Sequence, residues 1–307
     1  MTERASTAKI LCAGGAVQDF IMQVDRFPAP GAKKEASAFV NTIGGQSGNA
    51  ALAVARLGGT ARYTGPIGDA DDDTANRAIA MLEREGVDCS GAVRVPGGIC
   101  SVSLIMIDDT GEKLISTRRG HGLRGITPAD PAHAVASVEA VLLDNRYPDF
   151  VIPIAKAAAA RGIPRVLDID YGEAAADPTM PFCDYVIASA ESLRAMTGVA
   201  DLGAALLALG RGYDGFLAVS DGPAGVYWRD GNAVRHMPAF QVTAVDTLGA
   251  GDIFHAGFAV RLVETGDPIQ AIRFGSAAAA LKCTHFGGAD GTPHRAEVDA
   301  FLQKPIS

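Results

Sequence analysis

The stretch Asp246-Thr247-Leu248-Gly249-Ala250-Gly251-Asp252, followed by the apolar run Ile253 to Val260, carries more of the fold than any other part of this 307-residue chain. Gly249 and Gly251 allow a tight turn with exposed backbone N–H groups. The residues that follow (IFHAGFAVRL) have helical spacing, so the turn opens onto a helix N-terminus. Free donors and the positive end of a helix dipole attract a phosphate there, yet Asp252 puts a carboxylate in the same place. A loop that only binds has no use for that repulsion, but phosphoryl transfer does. The amides of Gly249, Ala250 and Gly251 can hold the transferring group while Asp252 takes the proton of the attacking hydroxyl. The plainer alternative is a helix cap, with Asp246 and Thr247 ordering the turn. A cap needs one polar residue, whereas this stretch gathers two acids, a threonine and two glycines. The helix end is also expected to keep Asp252 ionised at neutral pH, as a weak base.

Outward from this turn, strand and helix patterns alternate. Lys9 to Gly15, Ala61 to Thr64, Ala140 to Leu143, Arg165 to Ile169 and Tyr185 to Ala188 read as strands. Asn49 to Leu57, Asp72 to Arg84, Pro148 to Arg161 and Ala271 to Lys282 read as helices. Such alternation predicts an α/β fold, a mostly parallel central sheet sandwiched by helices. Two segments have no helices to cover them. Glu35 to Ile43 reads as an extended strand, and Ile99 to Ile107 with Glu112 to Thr117 flank a turn at Asp108 to Gly111 in hairpin fashion. With 48% hydrophobic residues, the chain suits one large domain over 1–307 with a small β-sheet lid formed by segments about 16–43 and 96–120.

Net charge −8 argues against nucleic acid as a partner, because phosphate backbones are bound by clustered Lys and Arg. The five cysteines are scattered without a CxxC pair, as reduced thiols are. The apolar stretch near the N-terminus is too short and too broken by glycine for a signal peptide. No run of about eighteen apolar residues occurs, so the expectation is a soluble, cytoplasmic protein with no membrane partner. The histidines form no HxxxH or HxxEH pattern, so no zinc site is assigned, and His255 reads as a pocket wall. A dinucleotide-dependent dehydrogenase is excluded because no GxGxxG follows the first strand and GAGDIF sets Phe254 where the third glycine belongs. A P-loop is excluded because there is no GxxxxGK[ST].

The DTLGAGD turn, together with GGQSGNAALAVARLGG at Gly44 to Gly59, resembles the paired signatures of the ribokinase or PfkB-type carbohydrate kinases. The resemblance runs over nearly the whole chain. It implies a ribokinase-like fold whose β lid often serves as a dimer interface, hence a homodimer, and an ATP-dependent kinase acting on a monosaccharide's primary hydroxyl. It also implies that Asp19, Gly44, Gly45 and Asn49 grip the sugar, although a helix cap accounts equally well for Asn49 from sequence alone. Nucleotide binding is implied at Ser220, Gly222 and Gly225 in VSDGPAGVYW, where a plain hairpin turn is the alternative, and at Thr247 and Ala277. The segment Ala277 to Gly288 resembles the stretch that helps hold a monovalent cation, which makes Asp246 a candidate ligand for K+. Mg2+ is expected with the nucleotide.

The family's Asn-x-x-Glu motif is eroded to Ser189-Ala190-Glu191-Ser192, leaving Glu191 as the residue expected to reach Mg2+ through water. Val17 and Gln46 stand where ribokinases carry an Asn and a Lys, which weakens the case for ribose itself. The Ser-for-Asn change and the stretch from Leu142 to Asp170 are similar to the ketohexokinase and sulfofructose kinase branches. There an Arg after the central strand receives an anionic group, a role that falls to Arg146, with Lys34 assisting; both also read as solvated surface charges. The expected substrate is therefore a ketose such as fructose or sulfofructose. Ribokinase and nucleoside kinase activities are alternatives, the latter with Phe20 and Phe39 as the aromatic candidates near the lid, and a non-catalytic sugar sensor is a third.

Overall fold

The computed structural model describes residues 7–170 and 177–303. Its centre is an eight-stranded sheet in the order β14-β13-β12-β11-β10-β9-β1-β4. The strands are β1 (Lys9–Ala13), β4 (Thr60–Thr64), β9 (Ala140–Asp144), β10 (Arg165–Ile169), β11 (Tyr185–Ser189), β12 (Phe216–Ser220), β13 (Val226–Asp230) and β14 (Ala233–Met237). From β4 to β12 every pairing is parallel, and the hairpin β13–β14 closes the edge antiparallel. These strands are apolar on both faces because helices cover both. Ile10 and Cys12 of β1 point into one core, Leu11 and Ala13 into the other.

The first core packs against helices α1 (Gln46–Arg56), α2 (Asp73–Arg84), α7 (Ala250–Thr265), α8 (Pro268–Cys283) and α9 (Arg295–Gln303). On the opposite face lie α3 (Pro131–Ala134), α4 (Pro148–Ala160), α5 (Ala190–Thr197) and α6 (Leu202–Leu209). A second sheet, in the order β3-β2-β7-β8, is built from β2 (Val17–Gln23), β3 (Ala38–Gly44), β7 (Ser101–Ile107) and β8 (Lys113–Arg118). The short pair β5 (Pro66–Ile67) and β6 (Val93–Arg94) lies apart from both sheets. The expected ribokinase-like α/β architecture with a separate small sheet is thus present. The free cysteines Cys12, Cys89, Cys100 and Cys183 are buried. Among the described residues, no single helix is long and apolar enough to cross a membrane.

The strand β2 lies inside the expected lid segment of about 16–43, but no separate strand was expected at Val17–Gln23. Its inward residues Asp19 and Ile21 are buried, but Phe20 and Met22 on the other face are also apolar, so the polar/apolar alternation that marks a half-buried strand is absent. The helix at Gly44 to Gly59 begins at Gln46 rather than Asn49. Gly45 is its N-cap residue, with φ 78°, and no side chain caps it.

Two glycines let α7 and α8 pack backbone to backbone. A Cβ on Gly275 would lie 2.5 Å from the Phe254 carbonyl oxygen, and one on Gly257 would lie 2.9 Å from Gly275 Cα. Neither contact can be relieved by moving a side chain. Gly275→Ala is therefore expected to destabilise the protein by about 1–3 kcal/mol, read as a lowered urea midpoint. An unchanged midpoint would show that the two helices separate freely.

Candidate active site

A cleft of about 310 Å³ opens at the C-terminal ends of the parallel strands, roofed by the small sheet. Its floor is the turn into α7. Gly249 adopts φ 75°, a left-handed conformation that only glycine takes without strain, and α7 starts at the next residue. At the helix start the Ala250 N–H reaches the Thr247 carbonyl at 3.3 Å and the Ile253 N–H reaches the Gly249 carbonyl at 3.1 Å. Between them, the first-turn N–H groups of Gly251 and Asp252 have no backbone acceptor one turn back, and both residues line the cleft.

The two glycine-rich motifs meet here. Asn49 Nδ2 donates to Asp252 Oδ2 at 2.6 Å, while Asn49 Oδ1 is buried without a partner. Asp19 enters from β2, 6% exposed, into space left by the missing side chain of Gly44: a Cβ there would lie 2.1 Å from Asp19 Oδ2. Burial raises the Asp19 carboxyl to about 6 against the help of a Ser103 hydrogen bond, so it is ionised at neutral pH and ready to accept from hydroxyls. The Gln46 amide, also buried, lacks a well-formed hydrogen bond although it lies close enough to Asp168 to favour that residue's charge. Buried polar groups left open into a cleft mark the place of a polar ligand. One further carboxylate ties the frame together. Asp144 Oδ2 accepts from the Gly15 N–H at 2.7 Å and the Ser47 hydroxyl at 2.7 Å, holding the end of β9, the β1 turn and the start of α1 in one knot.

The floor is acidic. Asp168 and Asp170 from the end of β10 join Asp252, and His255 faces Asp168 with Nδ1 at 3.5 Å from Oδ2. Burial first, and the Asp168 charge second, push the Asp252 carboxyl well above the usual range; the Asn49 bond only partly opposes them. The sequence led to an Asp252 kept ionised, as a weak base, by the helix end; desolvation of this half-buried carboxyl and the Asp168 charge act in the opposite direction, toward a more basic group. Burial likewise lowers His255, leaving it neutral at pH 7, with Nδ1 at 2.7 Å from the Gly251 carbonyl and Nε2 at 3.3 Å from that of Ile187. As a wall of the cleft it matches its sequence reading.

Of the other residues singled out in the sequence, Ser220, Thr247 and Arg146 line the cleft. Gly222 starts the tight turn after β12. Gly225 closes it with φ 101° and sits so near Met237 that a Cβ would be 2.2 Å from its carbonyl oxygen, which makes its role one of backbone clearance. Ala277 lies in the core between α8 and its neighbours, fully buried, and does not reach the cleft. Lys34 does not reach it either: it pairs with Asp25 in the connection between β2 and β3. Glu191 is exposed on the first turn of α5, near enough to Asp170 to disfavour its charge. Asp246 is fully buried and its carboxylate is already engaged by the Leu248, Gly287 and Gly288 N–H groups and by Lys282. Phe20 and Phe39 stack on each other at 6.3 Å but point away from the cleft, which has no Phe, Tyr or Trp among its described lining residues.

Sequence reasoning missed Asp168, Asp170 and Lys113. The first two had a signal, since acids at the C-terminal end of a buried parallel strand sit where α/β sheets bind ligands. Lys113 had none, because only the hairpin's register turns it inward beside Ile115 and Thr117.

Because Asp252 gains its high pKa by burial beside Asp168, its ionisation disfavours the folded state. The cost is absent below the unfolded value of about 4 and grows as pH rises above it. Asp252→Asn in the ligand-free protein should thus raise Tm at pH 7 by roughly 1–2 °C, about what 1 kcal/mol gives in a chain of this size, and leave it unchanged at pH 4. A lowered Tm at pH 7 would contradict the assignment.

Residues 7–295 match the model of the pfkB family carbohydrate kinases. The chain is similar to an ATP-dependent ribose-1-phosphate kinase of Halopiger xanaduensis, 31% identical over 306 residues, which spans 96% of this chain and 98% of the relative. It is similar to a ribokinase of Bacillus subtilis, 27% identical, over 95% of this chain and 99% of the relative. A crystal structure of a protein from Agrobacterium tumefaciens, 35% identical, superposes with a TM-score of 0.91 over 97% of this chain and 98% of that one.

Proposed function

Since the chain belongs to the pfkB family of carbohydrate kinases and is an ATP-dependent phosphotransferase acting on a sugar hydroxyl, we propose that it phosphorylates the primary hydroxyl of a pentose, with Asp252 as the base. The observation that carries this reading is the Asn49–Asp252 bond. It sets one carboxylate oxygen at the first-turn amides of α7, where a phosphoryl group and a hydroxyl can meet. The sugar lies between Asp19, Gly45 and Asn49, its hydroxyls satisfying the open Asn49 Oδ1 and the Asp19 carboxylate. Asp252 accepts the hydroxyl proton, the oxygen attacks the γ-phosphorus, and the bond to the departing ADP oxygen breaks. The Gly251 and Asp252 N–H groups take the growing negative charge. Nucleotide phosphates enter beside Thr247, and the rest of the nucleotide extends toward Ser220 and the Gly222 turn.

Mg2+ accompanies the nucleotide and neutralises its phosphates. Among the described residues no group of three or more His, Cys, Asp or Glu is placed to hold a metal ion. When it comes with the nucleotide, the metal would be held by phosphate oxygens and water, and Asp170 in the cleft with Glu191 beside it would be the carboxylates to face that water.

A pentose is placed ahead of the ketose expected from sequence because the similar proteins named above act on ribose or ribose 1-phosphate. Arg146 favours an anionic form. It lines the cleft beside Val17 and Asp19, held at the end of β9 by its own N–H to Asp144 Oδ1 at 2.9 Å. Among the described lining residues there is no Phe, Tyr or Trp, so none of them supports the nucleoside alternative. Coupled ADP-release assays against ribose, ribose 1-phosphate, fructose, sulfofructose and adenosine test the reading. Asp252→Asn should lower kcat by about 10²–10⁴ with little change in sugar affinity, and Arg146→Met should lower kcat/KM for a phosphorylated sugar far more than for ribose. Wild-type turnover in Asp252→Asn would refute the mechanism.

The homodimer also belongs to this reading. The outer face of the small sheet exposes Phe39 at 56%, Leu104 at 59%, Leu114 at 52% and Met22 at 41%, adjacent across β3, β2, β7 and β8. A contiguous apolar face of this kind marks an association surface. Sedimentation should give a dimer, and Leu104→Lys a monomer; a monomeric wild type would remove this part of the proposal.

A further inference from the structure

A lysine deep in α8 needs an explanation that packing does not give. Lys282 and Asp246 are both 0% exposed, with Nζ 3.0 Å from Asp246 Oδ2 and 2.7 Å from the Asp246 carbonyl oxygen. Burying such a pair costs desolvation that an apolar residue of similar volume would avoid. The surroundings show what the ammonium holds. Asp246 Oδ1 accepts from the Leu248 N–H at 2.7 Å, and Oδ2 accepts from the Gly287 and Gly288 N–H groups at 3.0 and 2.8 Å. Val245 and Asp246 N–H both reach the Cys283 carbonyl, at 2.7 and 3.1 Å. The segment entering the catalytic turn is thereby fixed to the end of α8 and to the turn at Gly287. In a trans peptide the carbonyl and the following N–H point in opposite directions. With the Asp246 carbonyl drawn down onto Lys282, the Thr247 N–H is turned the other way, toward the cleft that Thr247 lines.

The monovalent cation expected at Asp246 does not fit this arrangement, because the lysine ammonium stands where a free ion would have to stand. We propose that Lys282 is a tethered monovalent cation: a positioning residue that holds the Asp246–Gly249 turn ready for the phosphoryl group, making the enzyme independent of K+. This rests on the kinase reading of the same site.

The test is an ion series with the wild type and Lys282→Met, using tetramethylammonium or K+ as the sole monovalent cation and measuring kcat, Mg-ADP affinity by calorimetry, and Tm. Wild-type kcat should agree within about twofold between the two salts. Lys282→Met should be at least about tenfold slower in tetramethylammonium and recover in K+, with Tm rising in K+ for the variant alone. Activation of the wild type by K+ of about tenfold or more, or full activity of Lys282→Met without K+, would overturn the proposal. If the variant does not fold, the wild-type series decides by itself. If no sugar is turned over, the kinase reading fails separately, and ADP affinity and Tm still report on Lys282.

Discussion

The 2.6 Å hydrogen bond from Asn49 to Asp252 joins the starts of two helices that lie far apart in sequence, and the rest of the site is arranged around it. For that bond to form, α1 and α7 must bring their N-termini to the same edge of the sheet. The Asp144 knot fixes α1 against β1 and β9, and glycine-to-glycine packing of α7 on α8 fixes the other partner. Two positive helix ends then converge on one cleft. This gives an anion site whose donors are backbone and do not reorganise when charge develops.

The same convergence creates an electrostatic cost. Asp168 is buried, Asp252 half-buried and Asp170 at the open edge of one floor, and desolvation raises all three carboxyls. A neutral His255 gives no full charge in return. The floor is thus held in a state that favours protonation. Lys282 is buried outside this cluster, spent on Asp246. The separation is physically sensible: the fixed cation orders the backbone without neutralising the base.

The small sheet divides its work between two faces. Asp19, Ser103, Lys113 and Thr117 look into the cleft, while Phe39, Met22, Leu104 and Leu114 look out. Strands with both faces committed in this way need not show alternating polarity, which is why β2 was not read as a strand within the lid segment of about 16–43, while the β7–β8 hairpin was marked by its Asp108–Gly111 turn.

The sequence by itself determined the layered α/β fold and the paired glycine motifs, because these are written in local pattern: helical or strand periodicity, and glycines where the backbone must turn. Asp252 stood out from the chemistry of its own turn, whereas Asn49 and Asp19 were singled out by the family resemblance and not by local pattern. Tertiary structure alone decided the strength of Asp252 as a base, since desolvation and the neighbouring Asp168 arise only when α7 meets the end of β10. It also decided that Lys34 and Ala277 stand outside the cleft, that Lys113 stands inside it, and that Asp246 faces Lys282 across the fold. Local pattern fixes which backbone donors are left free. Only packing decides which charges lose their water, and with whom they share the loss.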